Sequence, residues 1–241
     1  MKKNILLIHG WDYLLYSKMT KSIDAWENYN ELIKILEKKY NVYKINLPGF
    51  CSEKEPNEKY WNIEDFSEYI NNYLDKNNIK IDLVLGYSFG GAVALDYKYK
   101  YNSKSKLFLV APAIIRNYDN SKKFVKTPKI FEPIRNKLRD LYVIYVIKNN
   151  EMKYGTKFLR NTYQKIVREE TIDILEKFDP KDVCIIYGSK DKAVNPDRML
   201  EEVNKKYLKS INIVDDANHD NIITKYVKKL EPILNNFDKQ L

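Results

Sequence analysis

The chain has 241 residues, of which 44% are hydrophobic and 31% charged, proportions typical of a folded globular protein and not of a disordered one. Its formal net charge is +9, but the 42 basic residues are mostly lysines spread along the whole chain, so the charge does not indicate a nucleic-acid-binding surface. No apolar run is long enough for an export signal or a membrane helix, and Cys51 and Cys184 lie far apart in sequence, so we expect a cytoplasmic protein with reduced thiols and no zinc site.

Short β-favouring runs alternate along the chain with segments whose apolar residues recur at spacings of three and four, which is typical of amphipathic helices. The predicted strands are 5–8, 42–45, 81–85, 106–110, 183–187 and 211–214, and the predicted helices are 23–39, 62–77, 89–101, 196–207 and 221–237. This alternation predicts an α/β fold with a mostly parallel sheet and helices on both faces. Such sheets bind ligands at the carboxyl ends of their strands.

Residues 112–180 interrupt the alternation, because they separate two predicted strands by far more than one crossover helix needs. This segment is rich in aromatic residues, and we interpret it as a helical cap. Its aromatic side chains form the core of the cap itself, and some of them are expected to line a pocket. Since the chain has no internal repeat and no flexible linker, residues 1–241 are predicted to form a single domain with this cap inserted.

The segment LVLGYSFGGAV at 83–93 places Ser88 between Gly86 and Gly90, after a predicted strand and before a predicted helix. A serine on such a sharp turn adopts a strained backbone, and side chains at the two flanking positions would collide with the neighbouring strand and helix. The helix start also directs backbone N–H groups, that of Phe89 first, toward a developing oxyanion. The pattern therefore predicts that Ser88 is a nucleophile, and the alternative is a serine with a role only in the turn.

Five stretches, ILLIHGW, INLPGF, LVLGYSFGGAVAL, IIYGSKDKAVNP and DDANHD, occur in this order along nearly the whole chain, which resembles the α/β-hydrolase family and most closely its small capped carboxylesterases. The resemblance implies a six-stranded sheet in the order 2-1-3-4-5-6. It also implies that Trp11, which follows Gly10 in the HGW turn, supplies the second oxyanion N–H. His9 is then expected to order this turn, and the alternative role for it is that of catalytic base.

The chain has two histidines, and His219 lies between the last predicted strand and the last predicted helix, where a loop could bring its ring over Ser88. Asp191 follows the penultimate strand, which produces the chain order Ser, Asp, His that this fold uses. We therefore predict a triad of Ser88, His219 and Asp191. Asp215 and Asp216 are the alternative partners for the histidine, although their position at a strand end suits capping or surface solvation.

The resemblance implies a serine hydrolase that cleaves small-molecule acyl esters through an acyl-enzyme intermediate, with no metal or organic cofactor. Thioester hydrolysis and hydrolysis of carbon–carbon bonds by the same triad stay open, and so does a hydrolase-like receptor without catalytic activity. The chain departs from the family pattern at two places. Cys51 follows LPGF where a further glycine is usual, and residues 12–23 form a longer loop, which is expected to restrict or gate the pocket.

Overall fold

The computed structural model of the protein describes residues 2–16, 23–115 and 149–239. These residues contain a six-stranded sheet with the order β2-β1-β3-β4-β5-β6, in which every neighbouring pair is parallel. The strands are β1 (Lys3–Ile8), β2 (Tyr40–Ile45), β3 (Leu83–Tyr87), β4 (Lys106–Val110), β5 (Val183–Gly188) and β6 (Ile211–Val214). The predicted fold class, the parallel pairing and the strand order are all confirmed.

The three central strands β3, β4 and β5 are buried at every residue. Helices cover both faces of a parallel sheet, so its central strands are continuous apolar runs and do not alternate with polar residues. Each fully buried Val, Leu or Ile side chain contributes roughly 1.5–3 kcal/mol relative to an exposed one. These strands therefore hold the carboxyl edge of the sheet rigid, and the loops that follow them are anchored there.

Helices lie between the strands along the chain. They are α1 (Asn30–Glu37), α2 (Ile63–Lys76), α3 (Phe89–Lys100), α4 (Asn150–Tyr154), α5 (Lys157–Ile166), α6 (Ile172–Leu175), α7 (Pro196–Glu202) and α8 (Val227–Asp238). Within the described ranges, short 3-10 segments occur at Tyr13–Leu15, Pro180–Asp182 and Lys205–Ser210. The start of α2 matches the prediction because Asn62 and Asp65 form a capping box, in which each side chain accepts a hydrogen bond from the other residue's backbone N–H.

Two predicted helices begin later than expected. The segment predicted as helical from residue 23 forms turns until α1 starts at Asn30, because the Asp24 side chain accepts a hydrogen bond from the Trp26 N–H at 2.9 Å. The segment predicted from residue 221 becomes α8 only at Val227, because Asn218 and Asn221 accept each other's backbone N–H groups at 2.9 and 2.7 Å. Side-chain hydrogen bonds of this kind compete with the helical ones.

The segment predicted as one helix over 196–207 is divided. Helix α7 ends at Glu202, and the side chain of Asn204 then accepts a hydrogen bond from the Lys206 N–H at 3.1 Å and begins a separate 3-10 segment.

In the ranges that the structure describes, no helix combines the length and the apolar composition needed to cross a bilayer.

The chain between β4 and β5, residues 111–182, is called the insertion below. It contains helices α4, α5 and α6. Residues 116–148 of the predicted cap, with several of its aromatic residues, lie outside the described residues, as do residues 17–22 of the predicted long loop.

Candidate active site

Ser88 stands at the junction of β3 and α3, with φ 52° and ψ −117°, a conformation that side-chain-bearing residues rarely adopt. Its N–H donates to the Val110 carbonyl at 3.0 Å, and its carbonyl accepts from Gly91 at 2.9 Å and from Ala113 at 3.0 Å. A strained residue of this kind costs roughly 1–3 kcal/mol and persists only where its surroundings determine it, as these bonds do. Strain held in this way is characteristic of a functional site.

Gly86 and Gly90 allow the sharp turn because backbones approach each other closely around them. A Cβ atom on Gly86 would stand 2.6 Å from the Gly90 carbonyl oxygen, and one on Gly90 would collide with the carbonyl oxygens of Ile8 and His9. Helix α3 therefore packs against β3 and β1 through backbone contacts, which only glycine permits. Gly86 lies near the end of β3 and Gly90 in the first turn of α3.

A continuous hydrogen-bonded chain joins Ser88, His219 and Asp191. The distance from His219 Nε2 to Ser88 Oγ is 2.9 Å, and the distance from His219 Nδ1 to Asp191 Oδ2 is 2.8 Å. The other carboxylate oxygen of Asp191 accepts from the N–H groups of Ala193 at 2.9 Å and Val194 at 3.0 Å. The Asp191 side chain is fully buried, while that of His219 is 19% exposed, so the ring can meet a ligand and the carboxylate cannot.

The two alternative carboxylates, Asp215 and Asp216, are both exposed and do not accept a hydrogen bond from the His219 ring. Asp216 forms an ion pair with Lys190 Nζ at 2.7 Å, and the hydrogen bond and charge of this lysine hold the pKa of the Asp216 carboxyl below the usual value. The structure thus brings Asp191, and neither of the other two, to the histidine.

Tyr87 holds the His219 segment and was not identified from the sequence. Its hydroxyl donates to the His219 carbonyl at 3.0 Å, and its ring stacks on the imidazole with 5.6 Å between centroids and 30° between planes. Burial raises the pKa of Tyr87 well above its usual value, so its hydroxyl stays a donor. Its position inside the glycine–serine motif is the one signal that could have indicated it.

The predicted oxyanion donors, the backbone N–H groups of Trp11 and Phe89, lie beside Ser88. A Cβ on Gly10 would stand 3.1 Å from the Ser88 Cβ, and the rings of Trp11 and Phe89 meet edge to face at 5.5 Å between centroids. In the part of the chain that the structure describes, neither N–H donates a hydrogen bond. Both groups are therefore available to a ligand oxygen.

His9 is buried and uses both ring nitrogens in hydrogen bonds. Its Nε2 accepts the Leu47 N–H at 3.0 Å, so the proton is on Nδ1, which donates to the Gly10 carbonyl at 2.7 Å. Burial lowers the pKa of His9 to about 4, which keeps the ring neutral near pH 7. These contacts tie the HGW turn to the chain after β2 and leave no ring nitrogen of His9 for Ser88.

A cavity of about 840 Å³ opens at Ser88 and His219. Its described walls combine aromatic, aliphatic and acidic residues, among them Trp11, Asp12, Tyr29, Tyr87, Glu151, Tyr163 and Asp220. Cys51 is not among its described lining residues. Cys51 has a φ of 52°, and its backbone N–H donates to the Leu15 carbonyl at 2.7 Å. This bond anchors the loop that follows the HGW turn.

Comparison with known proteins identifies the family. A family model described as alpha/beta hydrolase fold matches residues 3–137, more than half of the chain. The chain belongs to the alpha/beta hydrolases. Among proteins similar to this alpha/beta hydrolase, a Mycoplasma pneumoniae protein named as a candidate esterase/lipase is 21% identical over 245 residues, which cover 90% of this chain and 82% of that protein.

Solved structures show the same alpha/beta hydrolase fold. A meta-cleavage product hydrolase from Pseudomonas fluorescens IP01 is 17% identical with a TM-score of 0.66, covering 99% of this chain and 91% of its own. A carboxylesterase of Nitrososphaera gargenis is 15% identical with a TM-score of 0.65, covering 100% of this chain and 92% of its own. At these identities the likeness concerns the fold alone, and the comparisons together support a hydrolase.

Proposed function

We propose that the protein is a serine hydrolase of small carboxylic esters, with Ser88 as nucleophile, His219 as general base and Asp191 as the partner of the histidine. The observation that carries this proposal is the hydrogen-bonded chain from Ser88 Oγ through both ring nitrogens of His219 to the buried Asp191 carboxylate. The likeness to an esterase/lipase over most of the chain supports the ester as substrate.

In the proposed reaction, His219 Nε2 removes the Ser88 hydroxyl proton while Oγ attacks the ester carbonyl carbon. The N–H groups of Phe89 and Trp11 donate to the oxygen that becomes negative, and Asp191 stabilises the imidazolium. The tetrahedral species then expels the alcohol, which takes its proton from His219. Water, deprotonated by the same ring, attacks the acyl group on Ser88 and releases the acid.

We favour an ester over an amide as substrate because an alkoxide leaves more readily than the nitrogen leaving group of an amide. The cavity of about 840 Å³ is within the range of roughly 300–1,000 Å³ that small-molecule sites occupy. Residues of α4 and α5, including Glu151, Tyr163 and Ile166, line this cavity, which supports the role of the insertion as a cap over the substrate. Besides the hydrolytic water, the proposed mechanism uses side-chain and backbone groups of the protein.

The test is burst kinetics on p-nitrophenyl acetate and butyrate, with intact-mass detection of an acylated protein. We expect a burst and an adduct in the wild type, no adduct in Ser88→Ala, and a greatly slowed acylation in His219→Ala. Ser210→Ala is a matched control, because its hydroxyl donates to the Pro180 carbonyl away from the cavity. A folded wild type that forms no adduct with any acyl ester or thioester would instead favour a receptor without catalytic activity.

A further inference from the structure

We propose that Tyr16 and Glu151 are positioning residues, which hold Trp11 and its backbone N–H in place through a hydrogen-bonded chain between the HGW turn and helix α4. This inference rests on the proposed function, since it concerns the second oxyanion donor of that site. It assigns to the insertion a part in catalysis beyond covering the substrate.

The chain of contacts begins at the indole of Trp11. Its Nε1–H donates to the Tyr16 hydroxyl oxygen at 3.3 Å. That hydroxyl stands 3.2 Å from Glu151 Oε2 and 3.3 Å from the Glu151 carbonyl oxygen, and it donates its one proton to this residue. Trp11 carries both the indole and the predicted oxyanion N–H. A hydrogen bond that fixes the indole therefore also limits how far the Trp11 backbone, and with it this N–H, can turn away from Ser88.

The same glutamate holds the loop at a second point. The Tyr13 backbone N–H acts on the Glu151 carboxylate and opposes the rise of its pKa, and the Tyr13 ring stacks on Tyr154 of α4 at 5.5 Å between centroids and 18° between planes. Two residues of α4, Glu151 and Tyr154, therefore contact the segment that directly follows Trp11. Tyr16 and Glu151 are 135 residues apart in sequence, so only the docking of α4 brings these groups together.

Other contacts of the loop have a different effect. The Asp12 side chain accepts the Leu14 N–H at 2.8 Å, which determines the local shape of the 3-10 segment. The bond from the Cys51 N–H to the Leu15 carbonyl anchors the far end of that segment. Neither bond reaches the side chain of Trp11, whereas the bond from its indole to Tyr16 does.

The charges around Glu151 make its hold on the loop depend on pH. Burial, reinforced by the nearby Asp12, raises the pKa of Glu151 to about 7. Among the residues that the structure describes, the titratable groups that act on Tyr16 and Glu151 from the packed elements are Asp12 of the loop and Tyr163 of α5, and neither brings a positive charge. An ionised carboxylate is the stronger acceptor for the Tyr16 hydroxyl, so protonation of Glu151 below pH 7 weakens the link.

The experiment compares Tyr16→Phe, Glu151→Ala and Glu151→Gln with the wild type in p-nitrophenyl butyrate hydrolysis. Displacing one oxyanion donor, without removing it, is expected to lower kcat by roughly 10–100-fold with little change in KM, because the oxyanion develops only after binding. We expect this loss in Tyr16→Phe and Glu151→Ala. In Glu151→Gln the amide oxygen still accepts from Tyr16, so most of kcat returns and its dependence on Glu151 ionisation near pH 7 disappears.

A trifluoromethyl ketone provides a readout that a merely structural role would not change. Its hemiketal with Ser88 places a negative oxygen in the oxyanion site, so its inhibition constant should rise in Tyr16→Phe by about the factor that kcat/KM loses. Tyr99→Phe is the matched control. It also removes a tyrosine hydroxyl, but the Tyr99 side chain is exposed on α3.

The outcomes separate the two proposals. If the wild type forms no acyl adduct at Ser88, the proposed function itself fails. If the adduct forms but Tyr16→Phe loses only thermal stability and keeps kcat and the inhibition constant, the positioning role is overturned. Should Tyr16→Phe not fold, the pH profile of Glu151→Gln decides: an unchanged profile overturns the inference, and loss of the feature near pH 7 supports it.

Discussion

Replacing His9 tests whether its buried, neutral ring governs the acid stability of the fold. The folded chain binds a proton at His9 only near pH 4, whereas the unfolded chain binds one near pH 6.5. Between these values the unfolded state holds more protons, so the free energy of unfolding falls as the pH falls. A difference of about 2.5 pKa units at about 1.36 kcal/mol each corresponds to a loss of about 3 kcal/mol between pH 7 and pH 4.

The variant His9→Gln cannot titrate, so this part of the pH dependence should disappear. At pH 7 we expect it to be less stable by about 1–3 kcal/mol, because the change disturbs the buried bonds to Leu47 and Gly10. As the pH falls to 4, the wild type loses about 3 kcal/mol that the variant keeps, so the variant should become as stable as the wild type or more stable.

The measurement is denaturant unfolding followed by tryptophan fluorescence between pH 4 and pH 7.5. His219→Gln is the control, because it removes the other histidine of the chain and leaves His9 in place. Parallel curves for the wild type and His9→Gln over the whole pH range would refute the argument, since they would mean that His9 titrates alike in the folded and unfolded states.

Three further substitutions test the site and its support. Asp191→Asn should lower kcat by roughly 10⁴-fold while the fold persists, because an amide no longer selects the His219 tautomer that accepts the serine proton; a loss under tenfold in steady-state kinetics would count against its role. Tyr87→Phe removes the hydrogen bond to the His219 carbonyl and should cost about 1 kcal/mol of stability and lower kcat/KM; a kcat/KM equal to that of the wild type would argue against this anchor. Gly90→Ala drives a methyl group into the backbone carbonyl of Ile8 and should destabilise the fold by about 3 kcal/mol or more, and a melting temperature like that of the wild type would contradict the close packing of α3.

Patterns that extend over a few neighbouring residues were predictable from the sequence. The central strands are continuous apolar runs because both faces of the sheet are covered, so their positions could be expected from the sequence. Their order in the sheet was implied by the resemblance to the α/β-hydrolase family. The turn around Ser88 was equally evident, because close backbone contacts require glycine at positions 86 and 90. The positions of Asp191 and His219 followed from the loops after the last two strands, since parallel strands end at one edge.

Two kinds of feature did not follow from the sequence patterns: competing side-chain hydrogen bonds in turns, and contacts between distant segments. The starts of α1 and α8 depend on side-chain hydrogen bonds in the preceding turns, which compete with a helix that the apolar pattern alone favours. The bond between Tyr16 and Glu151 joins groups 135 residues apart, and no local pattern specifies which glutamate of the insertion meets the loop. Local motifs are determined by the steric limits of a few residues, whereas such pairings arise only when whole elements pack, and their geometry is therefore a property of the folded chain.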